Sequence, residues 1–114
     1  MSEPVFLLDE LMRLIERYMM PDDIDQVHEA FKLANQAHQN VTRKSGELYI
    51  SHPLSVAILL AGMRVDADTV SAALLHDVVE DTDYTVADIA RIANPHVARL
   101  VDGVTKLDKS NFES

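Results

Sequence analysis

Two polar residues interrupt an apolar stretch, and their types suit them to chemistry. Between Ala72 and Val79 the sequence reads Ala-Ala-Leu-Leu-His-Asp-Val-Val, so His76 and Asp77 stand among six apolar residues. A buried carboxylate costs several kcal/mol unless it is paired or bound to a metal. Adjacent helical residues project about 100° apart, so a third group between the two side chains would satisfy both. Two interpretations stay open: a shared divalent cation, or a pair that is hydrogen-bonded to other polar groups of the core.

Other ionisable side chains are predicted to lie near this pair. Glu80 and Asp81 follow one turn later, at offsets of three and four residues that place them on neighbouring faces of the same helix. His52 comes before a proline, which favours an extended backbone at the entry to a buried helix. Alone, His52 is interpreted as a cap or a surface residue, but together with His76 and Asp77 it becomes a candidate third metal ligand.

The segment between Arg64 and Arg91 carries seven acidic residues and no lysine or arginine. Such a segment suits the binding of a cation, because no basic side chain competes for the carboxylates. Most of these acids are nevertheless predicted to be solvated surface residues or helix caps: Asp66, Asp68, Asp83 and Asp88.

Composition excludes several classes of function. The 114 residues carry a net charge of −9 and fit one small domain. The absence of cysteine excludes disulfides, thiolate zinc sites and cysteine nucleophiles. The acidic balance argues against nucleic acid as a partner, because neutralising phosphates needs a basic face. Neither a long apolar run nor a secretory signal is present, so we expect a cytoplasmic protein without a membrane partner.

Helical periodicity dominates the chain and predicts an all-α fold. The third predicted helix is apolar nearly all round, so we expect it to be the central buried helix. His38 is predicted to end the second helix and to hydrogen-bond near the following loop, whereas His28 and His96 are predicted to be solvated. Six helices are predicted: Pro4–Met19, a helix capped by Asp22 and Asp23 that ends near Gln39, Pro53–Gly62, Asp66–Asp81, Thr85–Ala93 and Pro95–Val104.

Several blocks of the sequence resemble a known family. The pattern of His52 followed by His76-Asp77 resembles the HD-domain metal-dependent phosphohydrolases. The wider context resembles the hydrolase domain of the RelA/SpoT family, whose members make and degrade guanosine tetra- and pentaphosphate. The likeness covers roughly residues 24 to 109. It rests on five blocks in the same order: Ala37-His38, Arg43 to Glu47, Tyr49 to Pro53, Ala72 to Thr82, and Leu100 to Leu107.

The resemblance implies an HD-like helical bundle and a role for each matching residue. Three residues match the ligands of the metal, which is usually manganese in this family: His52, His76 and Asp77. Glu80 and Asp81 match an acidic pair held to position and activate the attacking water. Three loop residues match the contacts to the guanine nucleotide: Arg43, Lys44 and Ser45. The implied reaction removes the 3′-pyrophosphate and leaves GDP or GTP.

One part of the family pattern lies beyond this chain. The family has a further aspartate downstream, in a stretch resembling Asp-Arg-Leu-His-Asn, and the sequence ends at Ser114. We therefore expect residues 1–114 to form a single HD-type domain that is truncated at its C-terminus. Such a chain would be weakly active or inactive, and its uncovered apolar surface could favour self-association. Two alternatives stay open: a non-catalytic module that binds a guanine nucleotide or a protein, and a phosphohydrolase of another nucleotide.

Overall fold

The computed structural model describes the backbone of residues 3–39 and 50–113. This part of the chain is helical and contains no strand, which confirms the all-α prediction. None of its helices combines the length and the apolar character needed to cross a membrane. The six helices are α1 (Glu3–Glu16), α2 (Pro21–Ala37), α3 (Ser51–Gly62), α4 (Ala67–Asp81), α5 (Val86–Ile92) and α6 (Pro95–Glu113).

Helix α4 is the centre of the fold, because it packs against α2, α3 and α6. Four of its large apolar side chains are fully buried: Val70, Leu74, Leu75 and Val78. The prediction that α3 is the central helix is wrong. Helix α3 packs mainly against α1 and α4, and Leu59 on its outer side is 70% exposed. An apolar composition all round a helix does not show how many of its faces have neighbours.

Several predicted helix ends are also wrong. Helix α1 ends at Glu16 and not at Met19. Helix α2 begins at Pro21, and its N-cap Met20 makes no side-chain cap. Asp22 and Asp23 instead lie in the first turn, where carboxylates interact favourably with the helix dipole. Helix α6 continues to Glu113 instead of ending near Val104. A glycine inside a helix lowers its stability by about 1 kcal/mol but does not end it, and no proline follows Gly103.

The predicted cap of α5 is confirmed and forms a reciprocal capping box. The Asp88 backbone N–H donates to Thr85 Oγ1 at 3.1 Å, and the Thr85 N–H donates to Asp88 Oδ2 at 2.9 Å. We expect Thr85→Ala to lower the free energy of unfolding by about 1 kcal/mol, because one helical N–H loses its acceptor. Urea unfolding measures this loss, and Thr85→Ser is the matched control that keeps the hydroxyl. Equal stability of the alanine and serine variants would contradict the assignment of the cap.

Asp68 ties α4 to two other helices, which corrects its assignment as a solvated surface residue. Its carboxylate accepts hydrogen bonds from Gln26 Nε2 at 2.7 Å and from Asn94 Nδ2 at 3.0 Å. His96 Nδ1 lies 2.7 Å from Asp68 Oδ2, although His96 is exposed as predicted. Burial raises the pKa of Asp68, but these hydrogen bonds and the charge of His96 outweigh it and hold the pKa below its usual value.

This low pKa makes the contribution of Asp68 depend on pH. The ionised carboxylate stabilises the folded chain above the ordinary carboxyl pKa, and that contribution is lost as the pH falls through the lower folded pKa. We expect Asp68→Asn to be less stable than the wild type near neutral pH, and the difference to shrink as the pH falls below the ordinary carboxyl pKa of about 3.9. Urea unfolding across this range measures the difference. A difference that does not change with pH would contradict the ionic role of Asp68.

Candidate metal centre

Helices α3 and α4 bring three metal-binding side chains together. His52 lies in the first turn of α3, and His76 and Asp77 lie in the second half of α4. One ligand atom from each of the three lies within 4.8 Å of the others. Within the described residues, no other group of three His, Cys, Asp or Glu side chains meets this criterion. The helix packing therefore brings together the three residues that were predicted as metal ligands.

The backbone around His52 differs from the prediction. His52 lies inside helix α3, not in an extended segment before it, because α3 begins at Ser51. A proline in the first turn of a helix has no N–H that needs a partner, so the helix can begin ahead of Pro53. The His52 and His76 rings form an edge-to-face pair, with centroids 6.5 Å apart and planes inclined by 62°.

The imidazole of His76 is held from two sides. Its Nδ1 lies 2.8 Å from the carbonyl oxygen of Ala73, one turn earlier, and its Nε2 lies 3.0 Å from Asp77 Oδ1. A hydrogen bond donated by Nδ1 to Ala73 leaves Nε2 directed into the site. The hydrogen bond to Asp77 raises the pKa of His76 to about 9 against the opposing effect of burial. A metal ion at this position would replace the proton on Nε2.

Asp77 is the buried anion of the site, with 8% of its surface exposed. Burial raises the pKa of Asp77, but the hydrogen bond from His76 and the charges of His76, His52 and His38 outweigh it, so the pKa lies below its usual value. The carboxylate is therefore ionised at neutral pH. Two imidazoles and one carboxylate form a donor set that suits a divalent transition metal. The residues present thus fit a metal ion.

The two acids that follow Asp77 lie at the same end of α4. Glu80 is exposed, and its charge contributes to the raised pKa of His76, which places it within electrostatic reach of the site. Asp81 is the last residue of α4, and its Oδ2 lies 3.5 Å from Nε2 of His38. The structure thus brings both acids to the end of the helix that carries two of the candidate ligands.

The burial of His38 was not predicted from the sequence. His38 is 4% exposed, and its Nδ1 lies 3.2 Å from the Ala34 carbonyl oxygen one turn earlier. A signal was available, because His38 follows the apolar residues Phe31 and Ala34 at helical spacing and so shares their buried face. The predicted nucleotide-binding residues Arg43, Lys44 and Ser45 lie outside the described residues.

A cavity of about 270 Å³ opens beside the two imidazoles of the site. His52 and His76 form its polar edge, and the other lining side chains are mainly apolar. Helices α3, α4 and α6 supply these residues: Val56, Leu60, Thr69, Ala72, Ala73, Leu100 and Val104. The two candidate histidine ligands therefore line a concave surface next to the core, where a small molecule could reach them.

Comparison with known proteins identifies the family. The family model of the HD domain matches residues 30–114. The bifunctional (p)ppGpp synthase/hydrolase SpoT of Escherichia coli K12 is 46% identical over 108 residues, which are 95% of this chain and 15% of that protein.

Two more distant relatives have different names. The guanosine-3′,5′-bis(diphosphate) 3′-pyrophosphohydrolase of Aquifex aeolicus is 42% identical over 96% of this chain and 16% of its own length. The GTP pyrophosphokinase of Streptomyces coelicolor is 41% identical over 93% of this chain and 13% of its own length. The chain thus spans about one seventh of the length of these relatives. It belongs to the HD-domain family and, within it, to the RelA/SpoT group.

Proposed function

We propose that this chain carries the metal-binding part of a site that hydrolyses guanosine 3′,5′-bis(diphosphate) to GDP and pyrophosphate. The observation that carries the proposal is the convergence of His52, His76 and Asp77 within 4.8 Å. It occurs in a chain whose relatives include proteins named as guanosine-3′,5′-bis(diphosphate) 3′-pyrophosphohydrolases. Residues 1–114 would form a single HD-type domain, and a cytoplasmic location belongs to the same proposal because the substrate is a nucleotide.

Manganese is the proposed ion, held by His52, His76 and Asp77. A bound divalent cation would lower the pKa of a water molecule and offset the negative charge of the phosphate groups. The contact of His76 Nδ1 with the Ala73 carbonyl supports this arrangement, since it leaves Nε2 free of that carbonyl and able to serve as the ligand atom. The ionised Asp77 supplies the negative charge that a hard cation needs.

Glu80 and Asp81 are proposed to position the attacking water and to accept its proton. Both are carboxylates at the end of α4, one turn beyond the candidate ligands, and a carboxylate at that position can act as a general base. Arg43, Lys44 and Ser45 are proposed to bind the guanine nucleotide. Two basic side chains would offset the repulsion between a chain of charge −9 and a polyanionic substrate.

A second candidate function is a non-catalytic module that binds a guanine nucleotide or a protein partner. It is favoured by the similarity to the GTP pyrophosphokinase of Streptomyces coelicolor, which shows that this region also occurs in relatives named for synthesis. Self-association is a further proposal, supported by exposed apolar residues at the end of α3, Leu59 and Met63. A monodisperse monomer in sedimentation velocity would contradict self-association.

One experiment separates the two functions. Guanosine 3′,5′-bis(diphosphate) and Mn²⁺ are added to the chain, and pyrophosphate release and nucleotide binding are measured in parallel. Hydrolysis predicts release that disappears in His76→Ala and persists in Asp83→Asn, a control that removes an exposed acid after α4. Binding without release would favour the second candidate, and release that survives His76→Ala would contradict the proposed site. Competition by other nucleotides would test a different substrate.

A further inference from the structure

The contact between His38 and Asp81 joins the end of α2 to the end of α4 beside the candidate metal centre. His38 Nε2 and Asp81 Oδ2 lie 3.5 Å apart, the His38 side chain is almost fully buried, and a third of the Asp81 side chain is exposed. The contact therefore links a residue anchored in the core to a carboxylate that lies four residues after the candidate ligand Asp77 on α4. Neither His38 nor Asp81 belongs to the cluster of three candidate ligands, so the contact between them needs a separate explanation.

The ring of His38 is fixed by its own helix. Its backbone N–H donates to the Ala34 carbonyl oxygen at 3.1 Å, and its Nδ1 lies 3.2 Å from the same oxygen. One carbonyl therefore restrains both the backbone and the ring, and this leaves Nε2 directed at α4. The helix that carries the ring is closely packed, since Ala34 and Phe31 are buried one and two turns earlier.

Asp81 lacks such an anchor of its own, because it is the last residue of α4 and precedes the non-helical Thr82. A terminal carboxylate samples several rotamers unless a partner selects one. The Asp81 carboxylate lies 3.5 Å from the buried Nε2 of His38, which is within ion-pair distance and favours the rotamer that keeps this contact. We infer that His38 is a positioning residue that holds the Asp81 carboxylate toward the site for the hydrolysis; this rests on the proposed function.

The contact can be tested without any activity. Carbon-detected NMR of the metal-free, ¹³C-labelled chain reports the Asp81 carboxyl resonance directly. We expect His38→Leu to shift this resonance and His38→Gln, whose amide Nε2 can still donate, to keep it close to the wild-type position. Phe31→Leu is the matched control, because it changes a buried residue of the same helix and should leave the resonance unmoved. An unchanged resonance in His38→Leu, or an equal shift in Phe31→Leu, would overturn the inference.

A second measurement covers the case in which His38→Leu does not fold. Asp81→Asn changes a partly exposed residue at a helix end and should shift the His38 Nε2 resonance, whereas Asp83→Asn should not. If the His38 ring were held only by α2, neither Asp81→Asn nor Asp83→Asn would shift the His38 Nε2 resonance. That result would overturn the inference.

Kinetics then separate positioning from a purely structural role. We expect His38→Leu to lower kcat about 10- to 100-fold with KM nearly unchanged, and His38→Gln to restore part of the loss. The double variant His38→Leu/Asp81→Asn should be no slower than Asp81→Asn alone, because both changes disable the same carboxylate. Multiplicative losses would overturn the positioning role. Absence of pyrophosphate release from the wild type would overturn the proposed function instead, and the carboxyl resonance would still decide the contact.

Discussion

Asp77→Asn should abolish the thermal stabilisation that Mn²⁺ gives to the wild-type chain. Asp77 is the buried anion of the three-residue cluster, and an amide in its place supplies no charge to hold the cation. At a metal concentration of about 100 times Kd, binding stabilises the folded state by about 2.7 kcal/mol. In a domain of this size that corresponds to a rise of the melting temperature on the order of 10 °C. Thermal unfolding followed by circular dichroism, with Mn²⁺ and with a chelator, measures this shift.

Asp83→Asn is the matched control for this prediction. It removes the same charge from an exposed position two residues beyond the end of α4, so it should keep the full Mn²⁺-dependent shift. Equal loss of the Mn²⁺-dependent rise in melting temperature in both variants would show that Mn²⁺ binds through the total negative charge of the segment and not through Asp77. Retention of the shift in Asp77→Asn would remove this carboxylate from the ligand set.

Asp81→Asn and Glu80→Gln should each lower kcat by about 10²- to 10⁴-fold, the usual contribution of a general base, without weakening Mn²⁺ binding. The two carboxylates lie one turn beyond Asp77 and outside the cluster of three ligand atoms. They are therefore expected to act on the water and not on the ion. Pyrophosphate release measures kcat, and electron paramagnetic resonance of free Mn²⁺ measures the binding.

Glu29→Gln serves as the control for loss of a single negative charge. Glu29 lies exposed on α2 and pairs with Lys32 at 3.4 Å, a contact that belongs to the surface. Its replacement should leave kcat within about twofold, because an exposed ion pair contributes little. A loss of kcat in Glu29→Gln as large as in Asp81→Asn would point to a general charge effect. Weakened Mn²⁺ binding in Asp81→Asn would make Asp81 a ligand instead of a base.

The parts of the fold that depend on local patterns could be predicted from the sequence. The apolar spacing around Leu74 and Val78 predicted α4, and Thr85 predicted the start of α5. His76 and Asp77 could be identified as unusual because both the helix and its burial are visible in a few consecutive residues. Glu80 and Asp81 follow Asp77 within one helical turn, which is also a local feature of the sequence. The clustering of acids at this end of α4 could therefore be predicted.

The parts that depend on neighbouring helices could not be predicted. Leu59 is as apolar as Leu74, but only the packing shows that one faces out and the other faces the core. Asp68 looks like a surface acid until Asn94 and His96, 26 and 28 residues later, reach its carboxylate. His38 likewise acquires its partner from α4, 43 residues away along the chain. Such contacts are set by tertiary packing, and helical periodicity alone does not encode them.

A crystal structure of the chain grown with Mn²⁺ tests the shared metal site most directly. Anomalous scattering from manganese locates the ion without reference to any assumed role of the residues. We predict one strong anomalous peak per chain, within coordinating distance of His52, His76 and Asp77. A peak elsewhere on the acidic surface, or a density map in which the His76–Asp77 contact persists at saturating Mn²⁺ with no ion beside it, would contradict the shared metal site.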